Sequence, residues 1–295
     1  MPDPLNKKHA YLIMAHTNFP QLQQLITLLD HPMNDIYLHV DKRAASFQPE
    51  RIKTSASNLV IVPRIRVNWG GHSQVQCEMN LLKASAPNHY RYYHLISGFD
   101  LPLKTQEEIH AFFEGNYPGN FIDFHGPSNE SKSFLYRIEQ YHLFKDLIGR
   151  KRGLVPGLLR RANDGFIKLQ KLAGFKRPQR IPPYKGTNWF SITDDLAQYV
   201  VSQDALVKKQ FYYSHCADEV FLQSLAMAAP CRDTIINNCL RAIDWDRGDP
   251  YVFRQEDVED LLASPNLFGR KFDSNIDAQA IDQIAAHLSP RNTTL

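Results

Sequence analysis

The chain has 295 residues, of which 43% are hydrophobic and 22% charged, with a formal net charge of +3 at pH 7. This composition is typical of a globular protein, and the length allows one large α/β domain or two modest ones. The four cysteines are scattered without a Cys-x-x-Cys pair, which disfavours a disulfide framework. Residues 1–8 are polar and no apolar run approaches the length of a membrane span, so we expect a cytoplasmic protein with reduced thiols.

Short apolar runs alternate with helical patterns in the first half of the chain. Strands are predicted at 10–15, 36–40, 59–62, 92–97 and 120–124, and helices at 20–29, 74–86 and 106–113. This order predicts a Rossmann-like, mostly parallel central sheet flanked by helices. Because no Gly-x-Gly-x-x-Gly follows the first strand and no phosphate-binding P-loop is present, a nicotinamide enzyme or an ordinary nucleotidase is disfavoured.

The same rhythm resumes late in the chain, with a strand predicted at 184–192 and a helix that runs to Val201. Asp218 and Glu219 then open an apolar helix. Acidic groups in a first helical turn can simply complement the helix dipole, and this structural role is one alternative for the pair.

Polar and aromatic residues cluster around the strand that ends at Ser97. Ligands of open α/β sheets bind beyond the carboxyl ends of strands. Trp69 precedes two glycines, which predicts a flat ring next to a point of close backbone approach. The alternatives are a turn with a packing tryptophan and, at Phe99 and Asp100, an ordinary strand exit.

A basic segment interrupts the regular pattern. Between Lys145 and Arg180 there are eleven Lys and Arg residues and two Asp, interleaved with apolar residues, so the rest of the chain is net acidic. This mixture indicates an anionic membrane surface or a phosphorylated partner, and the alternative is a solvated pair of amphipathic helices. Nucleic acid is not expected as a partner, because no nucleic-acid-binding motif is present.

Seven separated motifs carry a resemblance to a known family. They are Ala15-His16, His39-Val40-Asp41-Lys42, Trp69-Gly70-Gly71-His72-Ser73, Ser97-Gly98-Phe99-Asp100-Leu101-Pro102-Leu103, Gly186-Thr187-Asn188-Trp189-Phe190, Ala217-Asp218-Glu219 and Leu267-Phe268-Gly269-Arg270-Lys271-Phe272. Their order resembles the core-2/I-branching β-1,6-N-acetylglucosaminyltransferases and peptide O-xylosyltransferases, which form glycosyltransferase family 14. The similarity runs from about residue 9 to about residue 273 and suggests a bacterial-type, soluble member.

The resemblance implies a single GT-A-like domain over 1–295. Its nucleotide-binding part would cover about 9–125, a basic insertion about 128–183, and the acceptor and catalytic part about 184–295. The family transfers a sugar from a UDP-sugar to a hydroxyl with inversion and without the usual metal-binding Asp-x-Asp, so neither a metal nor a cofactor is expected. Asp244-Trp245-Asp246 lies late in the chain and is interpreted as structural.

The resemblance also assigns roles to residues. Glu219 would be the base that removes the acceptor proton, with Asp218 beside it near the sugar and acceptor. The diphosphate would be bound by Arg270, Lys271 and, less securely, Arg241. The remaining assignments are Ala15, His16, Asp41 and Trp69 for the nucleoside, and Asp100 and Trp189 for the sugar and acceptor.

Several points stay open at this level. N-acetylglucosamine is the default donor sugar, and UDP-xylose or another UDP-sugar is the alternative. The acceptor is expected to be a glycan or a lipid-linked glycan, with the segment at about 145–180 against the inner face of a membrane. A catalytically silent sugar-nucleotide or glycan-binding module is the rival function. Animal members carry a membrane anchor and many disulfides, and this chain shows neither.

Overall fold

The computed structural model describes residues 7–125 and 133–289. Residues 1–6 of the polar N-terminus and residues 128–132 of the predicted insertion lie outside the described residues. The strands are β1 (His9–Ala15), β2 (Asn34–Val40), β3 (Asn58–Ile61), β4 (Tyr92–Ser97), β5 (Asp100–Pro102), β6 (Asn120–Ile122), β7 (Phe190–Thr193), β8 (Ile235–Asn237), β9 (Arg241–Ile243) and β10 (Phe268–Arg270).

The helices surround these strands. They are α1 (Phe19–Leu29), α2 (His72–Ser85), α3 (Gln106–Gly115), α4 (Tyr136–Glu139), α5 (Lys145–Ile148), α6 (Leu154–Leu172), α7 (Asp194–Ser202), α8 (Asp204–Phe211), α9 (Phe221–Ala228), α10 (Val258–Ala263) and α11 (Ala278–Leu288). Short 3₁₀ turns lie at Pro49–Arg51, Ala86–Asn88, Ala217–Glu219, Arg232–Thr234 and Gln255–Asp257. No helix within the described residues is both long enough and apolar enough to cross a membrane.

The central sheet has the strand order β3-β2-β1-β4-β7-β6-β8. Strands β3, β2, β1 and β4 are parallel, and β7 pairs antiparallel with both of its neighbours. In the register, Ala15 pairs with Val40 and Met14 with Ser97, so β1, β2 and β4 end at the same edge. The predicted mostly parallel sheet flanked by helices is therefore confirmed.

Side chains alternate between the two faces of this sheet because successive strand residues point in opposite directions. Leu12 and Leu95 pack in one core with residues of α2, α7 and α9, and Tyr11 and Ile13 pack in the other with residues of α1, α3 and α11. The loop segments at the carboxyl edge are thus held by two packed layers beneath them.

A second, smaller sheet lies next to that edge. Its order is β5-β10-β9, with β10 antiparallel to β5 and parallel to β9. Since β5 follows β4 almost immediately, this sheet brings the C-terminal part of the chain to the end of the central sheet. In its register, Arg270 lies opposite Asp100.

Two local predictions differ from the structure. The strand predicted at 184–192 is confined to Phe190–Thr193. Asp218 and Glu219 lie in a 3₁₀ turn rather than opening an α-helix, because Val220 has φ −134° and α9 begins only at Phe221. The turn matters chemically, since it separates the two carboxylates into different environments.

Candidate active site

The carboxyl ends of three neighbouring strands bring the first group of candidate residues together. His16 follows β1, Asp41 follows β2, and Phe99 follows β4, with the His16 and Phe99 rings 5.5 Å apart. Partial burial lowers the pKa of His16. The negative charge of Asp41 opposes this shift, and Lys271 and other nearby cations add to it. Residues that are distant in sequence therefore lie near one another at the carboxyl edge of the sheet.

Asp41 is held as an anion by Arg43. Its Oδ1 accepts hydrogen bonds from the Arg43 backbone N–H (2.8 Å) and Nε (3.0 Å), and its Oδ2 accepts from Arg43 Nη2 (2.7 Å) and the Val67 N–H (3.0 Å). Burial alone would raise the pKa of Asp41, but the bonds from Arg43 and Val67 outweigh it and lower the value to about 2. The Ala15 carbonyl accepts from the Asp41 N–H (2.9 Å), so Ala15 positions this loop through its backbone.

The Trp69-Gly70-Gly71 loop is a point of close approach, as predicted. Gly70 has φ +72°, and a Cβ there would lie 2.8 Å from the His215 ring, while a Cβ at Gly71 would lie 2.1 Å from Asp146 Oδ1. The space next to these two glycines is therefore filled by other segments of the chain and is not open to a ligand. The Trp69 side chain itself is 48% exposed and packs edge-on against His215.

Arg270 is held from two sides. Its Nη1 donates to Asp100 Oδ1 (2.6 Å) and Ser97 Oγ (2.5 Å), and its guanidinium carbon lies 4.3 Å from the centre of the Trp189 ring. Asp100 is 1% exposed and Trp189 is 5% exposed. Because both are covered, their position fits support of Arg270 rather than the direct sugar or acceptor contact that was predicted.

Lys271 presents a second cation beside Arg270. Its Nζ lies 4.8 Å from the centre of the Phe99 ring. Partial burial lowers the pKa of Lys271, and repulsion from Arg270 and from Arg150 of the insertion adds to the shift. The charges of Arg270 and Arg150 therefore both act on the Lys271 ammonium group.

The position of Arg241 does not support its predicted diphosphate contact. It is 6% exposed and donates to the Leu95 carbonyl (3.1 Å), the Phe190 carbonyl (2.7 Å) and the Cys239 carbonyl, as well as to Ser191 Oγ (2.9 Å). Burial lowers its pKa to about 10. Arg241 ties β4 to β7 beneath the site, and a buried guanidinium with these bonds is a structural group.

The two adjacent carboxylates differ sharply in accessibility. The Glu219 side chain is 35% exposed, and its Oε2 accepts from Arg137 Nη1 at 2.7 Å, with Lys185 Nζ at 3.8 Å. Asp218 is 6% exposed, and its Oδ2 accepts from Gln74 Nε2 at 2.9 Å. Burial and the charge of Glu219 raise the pKa of Asp218 to about 7. Of the pair, Glu219 is the carboxylate that can meet an acceptor, while its role as base stays a prediction.

Comparison with known proteins identifies the family to which the chain belongs. The family model described as "Core-2/I-Branching enzyme" matches residues 9–263. The chain belongs to this family. The resemblance to glycosyltransferase family 14 is thereby confirmed, and the α/β fold with its mostly parallel central sheet is the one described above.

The curated relatives are larger proteins. Xylosyltransferase 2 of Rattus norvegicus is 25% identical over 95% of this chain and 33% of its own length. Xylosyltransferase 1 of Homo sapiens is 26% identical over 95% of this chain and 30% of its own length. This family member thus spans about a third of the length of those relatives. The structure of mouse xyloside xylosyltransferase 1 matches with a TM-score of 0.36 and 9% identity, covering 89% of this chain and 97% of that one, which is too distant to add to the family match.

Several residues of the site escaped the sequence analysis of this family member. Arg43 stands two residues from Asp41, and this spacing was the available signal for their ion pair. Arg137 comes from the insertion, where no motif pointed to it. Glu78 on α2 is fully buried, and neither of its carboxylate oxygens has a hydrogen-bond partner among the described residues. Burial and the neighbouring Asp218 raise the pKa of Glu78 well above its usual value, which favours the neutral acid at this position.

The Asp244-Trp245-Asp246 stretch forms its own local contacts. Asp244 Oδ2 accepts from Arg247 Nε (2.5 Å), and its Oδ1 accepts from the backbone N–H groups of Asp246 and Arg247 (both 2.9 Å). Within residues 7–125 and 133–289, no three His, Cys, Asp or Glu side chains cluster as metal ligands would. The structural interpretation of this stretch is consistent with these bonds.

Proposed function

We propose that this chain is an inverting, metal-independent glycosyltransferase that moves a sugar from a UDP-sugar to a hydroxyl group of a glycan acceptor. The observation that carries the proposal is an accessible carboxylate, Glu219, linked through one short segment to Arg270 at the carboxyl edge of the sheet. The Glu219 carbonyl accepts from the Gly186 N–H at 3.0 Å, and Gly186 lies three residues before Trp189, the ring on which Arg270 stacks. The proposed base and the arginine proposed to bind the diphosphate are therefore both in contact with the segment 186–189.

Glu219 acts as the base in this proposal. As the acceptor oxygen attacks the anomeric carbon, its proton passes to a carboxylate within hydrogen-bond reach. Arg137 and Lys185 both approach Oε2, so we assign proton acceptance to Oε1. The ion pair with Arg137 fixes the direction of the carboxylate before the acceptor binds.

Lys271 and Arg270 stabilise the departing UDP. When the bond between the anomeric carbon and the β-phosphate oxygen breaks, its electron pair stays on the diphosphate, and fixed cations lower the energy of that developing charge. Arg270 is already oriented by Asp100 and Trp189. A pre-oriented guanidinium needs little reorganisation during the reaction, which is the condition under which such groups accelerate it most.

The donor sugar is open between two proposals. Family 14 includes transferases of N-acetylglucosamine, which is the default, and the relatives named above are xylosyltransferases, which supports UDP-xylose. Calorimetry and thermal-shift measurements with each UDP-sugar, in EDTA and in manganese, separate these cases because a ligand of the folded state raises its stability. Equal binding in EDTA supports the metal-free reaction, and binding only with manganese contradicts it.

The base assignment has a matched pair of variants. Glu219→Gln should bind the same donor but lose transfer by about 10²- to 10⁴-fold, since general-base catalysis contributes on that order. Asp218→Asn replaces a buried carboxyl with a neutral group of the same shape and should keep most of the activity. Full activity in Glu219→Gln refutes the assignment. Donor binding without transfer to any glycan, already in the unchanged protein, favours the silent binding module instead.

The basic insertion is proposed to face an anionic membrane that carries a lipid-linked acceptor. Successive residues of an α-helix are rotated by about 100° around its axis. On the outward side of α6 this rotation produces two adjacent stripes of exposed side chains. The apolar stripe holds Leu154, Leu158, Leu169 and Leu172, and the basic stripe holds Arg161 and Lys168. Leucines beside lysines and arginines suit the boundary between acyl chains and anionic headgroups. A peripheral position on the cytoplasmic side of a membrane belongs to this proposal.

Vesicle sedimentation tests the membrane proposal separately from the enzyme. Vesicles with phosphatidylserine should bind the protein, and Arg161→Ser with Lys168→Ser should weaken that binding by up to about tenfold per charge removed. Arg232→Ser and Lys53→Ser, which remove two charges outside the insertion, provide the control. If the two double variants bind alike, the insertion is not the membrane face, and the catalytic proposal is unaffected.

A further inference from the structure

The cations of the donor cleft differ in whether a carboxylate already neutralises them. Arg270 pairs with Asp100 at 2.6 Å, and Arg43 pairs with Asp41 at 2.7 Å. Within the described parts of the chain, neither Lys271 nor Arg150 has a carboxylate oxygen within 4.0 Å of its charged nitrogen atoms. These two groups therefore carry the positive charge that is left for an anionic ligand.

Arg150 belongs to the insertion but reaches the cleft. Its guanidinium carbon lies 4.6 Å from the centre of the Trp69 ring. Its charge also repels the Lys271 ammonium group. Asp273 and Asp100 offset part of this repulsion, but neither forms an ion pair with Lys271, so a diphosphate bound beside these cations would relieve the rest.

The loop before Arg150 is anchored to the site. Asp146 Oδ2 accepts from the His72 N–H (3.1 Å), and its Oδ1 accepts from the Ser73 N–H (3.0 Å) and Ser73 Oγ (2.6 Å) at the start of α2. Asn68 Nδ2 donates to the Asp146 carbonyl at 2.6 Å. Gly149, with φ +51°, allows the chain to pass so close to Asn68 that a Cβ would lie 3.3 Å from Asn68 Oδ1. Arg150 is thus placed by its neighbours.

The same construction occurs twice in the cleft. Arg270 lies 4.3 Å from the centre of the Trp189 ring, and Arg150 lies 4.6 Å from the centre of the Trp69 ring. Stacking on an aromatic face orients the planar guanidinium and leaves its N–H groups free to bind phosphate oxygens in pairs. Lys271 interacts electrostatically with both arginines.

We propose that Arg150 is a diphosphate-binding residue of the donor site, and that Trp69 supports this arginine rather than stacking on the uracil. The inference rests on the proposed function, because the diphosphate is that of the UDP-sugar. The basic insertion is then part of the donor site. Arg150 provides the third diphosphate-binding cation, a role that Arg241 does not fill because it is buried beneath the sheet.

Calorimetry with UDP and with uridine tests this role in the unbroken chain. Arg150→Ala should weaken UDP binding by roughly 10- to 100-fold, the size expected for charge-assisted hydrogen bonds. Uridine, which has no phosphate, should bind within about twofold of the unchanged protein. Arg150→Lys, which keeps the charge but loses the planar fork, should fall between the two.

Arg152→Ala is the matched control, since Arg152 is exposed and only two residues away. It should leave both ligands unchanged. Three results for Arg150→Ala would overturn the proposal: equal weakening of UDP and uridine binding, no change in either, or tighter binding of uridine. Tighter uridine binding would mean that Arg150 covers a Trp69 ring on which the base stacks. If the unchanged protein binds no UDP at all, the donor assignment itself fails, which is a different result from any change confined to Arg150.

Discussion

The central sheet and helix α6 of the basic insertion bury opposite kinds of side chain. In β1 and β4, residues such as Leu12 and Leu95 are 0% exposed. On α6 the buried residues are Asn163 and Gln170, whereas Leu154 and Leu172 are 81% and 86% exposed. The sheet is therefore stabilised by apolar burial. Helix α6, by contrast, turns its leucines away from the protein.

The segment before α6 joins the core through Phe134 and Ile138, whereas α6 and the residues after it are attached through polar contacts. Gln170 accepts from the Tyr141 N–H (2.8 Å) and donates to the Tyr141 carbonyl (3.1 Å). Arg177 is 7% exposed and donates to the Gln210 carbonyl (2.7 Å) and the Ile138 carbonyl (3.3 Å). Large exposed apolar patches mark interaction surfaces in soluble proteins. The comparison teaches that α6 is attached through hydrogen bonds on its polar side, so that its leucines remain available to a partner.

The largest expected effect comes from the same substitution made in each region. Leu95→Ala should lower the free energy of unfolding by about 2–5 kcal/mol, because it opens a cavity in a packed core. Leu158→Ala, at a 55% exposed residue, should change the unfolding free energy by no more than about 0.5 kcal/mol. Urea denaturation measures both. A comparable loss in Leu158→Ala would mean that the apolar stripe is covered in solution, and sedimentation would then show a second copy.

A smaller effect is expected where the insertion is attached. Arg177→Ala removes a buried guanidinium and its hydrogen bond to the Gln210 carbonyl, while the Ile138 carbonyl keeps a bond from Gln179 Nε2 (3.3 Å), so unfolding should become easier by about 1–3 kcal/mol. Proteolysis should then cut first within 133–183, ahead of the sheet. Lys176→Ala is the control: it breaks an exposed ion pair with Glu139 (3.3 Å) and should cost less than about 1 kcal/mol. If both variants behave alike, Arg177 does not anchor the segment.

A third effect, spread over several pH units, concerns the buried carboxyl group of Asp218. Asp218 has a folded-state pKa of about 7 against a usual value of 3.8. The folded state therefore binds a proton that the unfolded state releases between about pH 4 and 7, and stability falls as pH rises through that window by at most about 1.4 kcal/mol per unit.

Denaturation of Asp218→Asn at several pH values measures this contribution. The variant should lose less stability between pH 5 and pH 7 than the unchanged protein, because its amide does not titrate. Glu78→Gln, which replaces the buried acid behind Asp218, should flatten the same profile. Parallel pH profiles for all three proteins would show that both acids keep ordinary pKa values.

Much of this protein was determined by local sequence. Apolar runs and helical periods predicted the strands from β1 to β4 and the helices between them, because hydrophobic patterning within a short segment decides those elements. Arg270 and Lys271 are neighbours in the chain, so one motif was enough to propose them together. The carboxylate pair at Asp218 and Glu219 was likewise visible, although the turn that separates the two environments was not.

Tertiary structure alone decided which charged groups are covered and which remain exposed. Arg270 meets Asp100 across 170 residues of sequence, and Arg241 is buried beneath β4 and β7 instead of facing a diphosphate. Arg150 reaches Trp69 because Asp146 binds at the start of α2. The physical reason is that the energy of a charge depends on its burial and its partners, and both come from segments that fold against it from elsewhere in the chain.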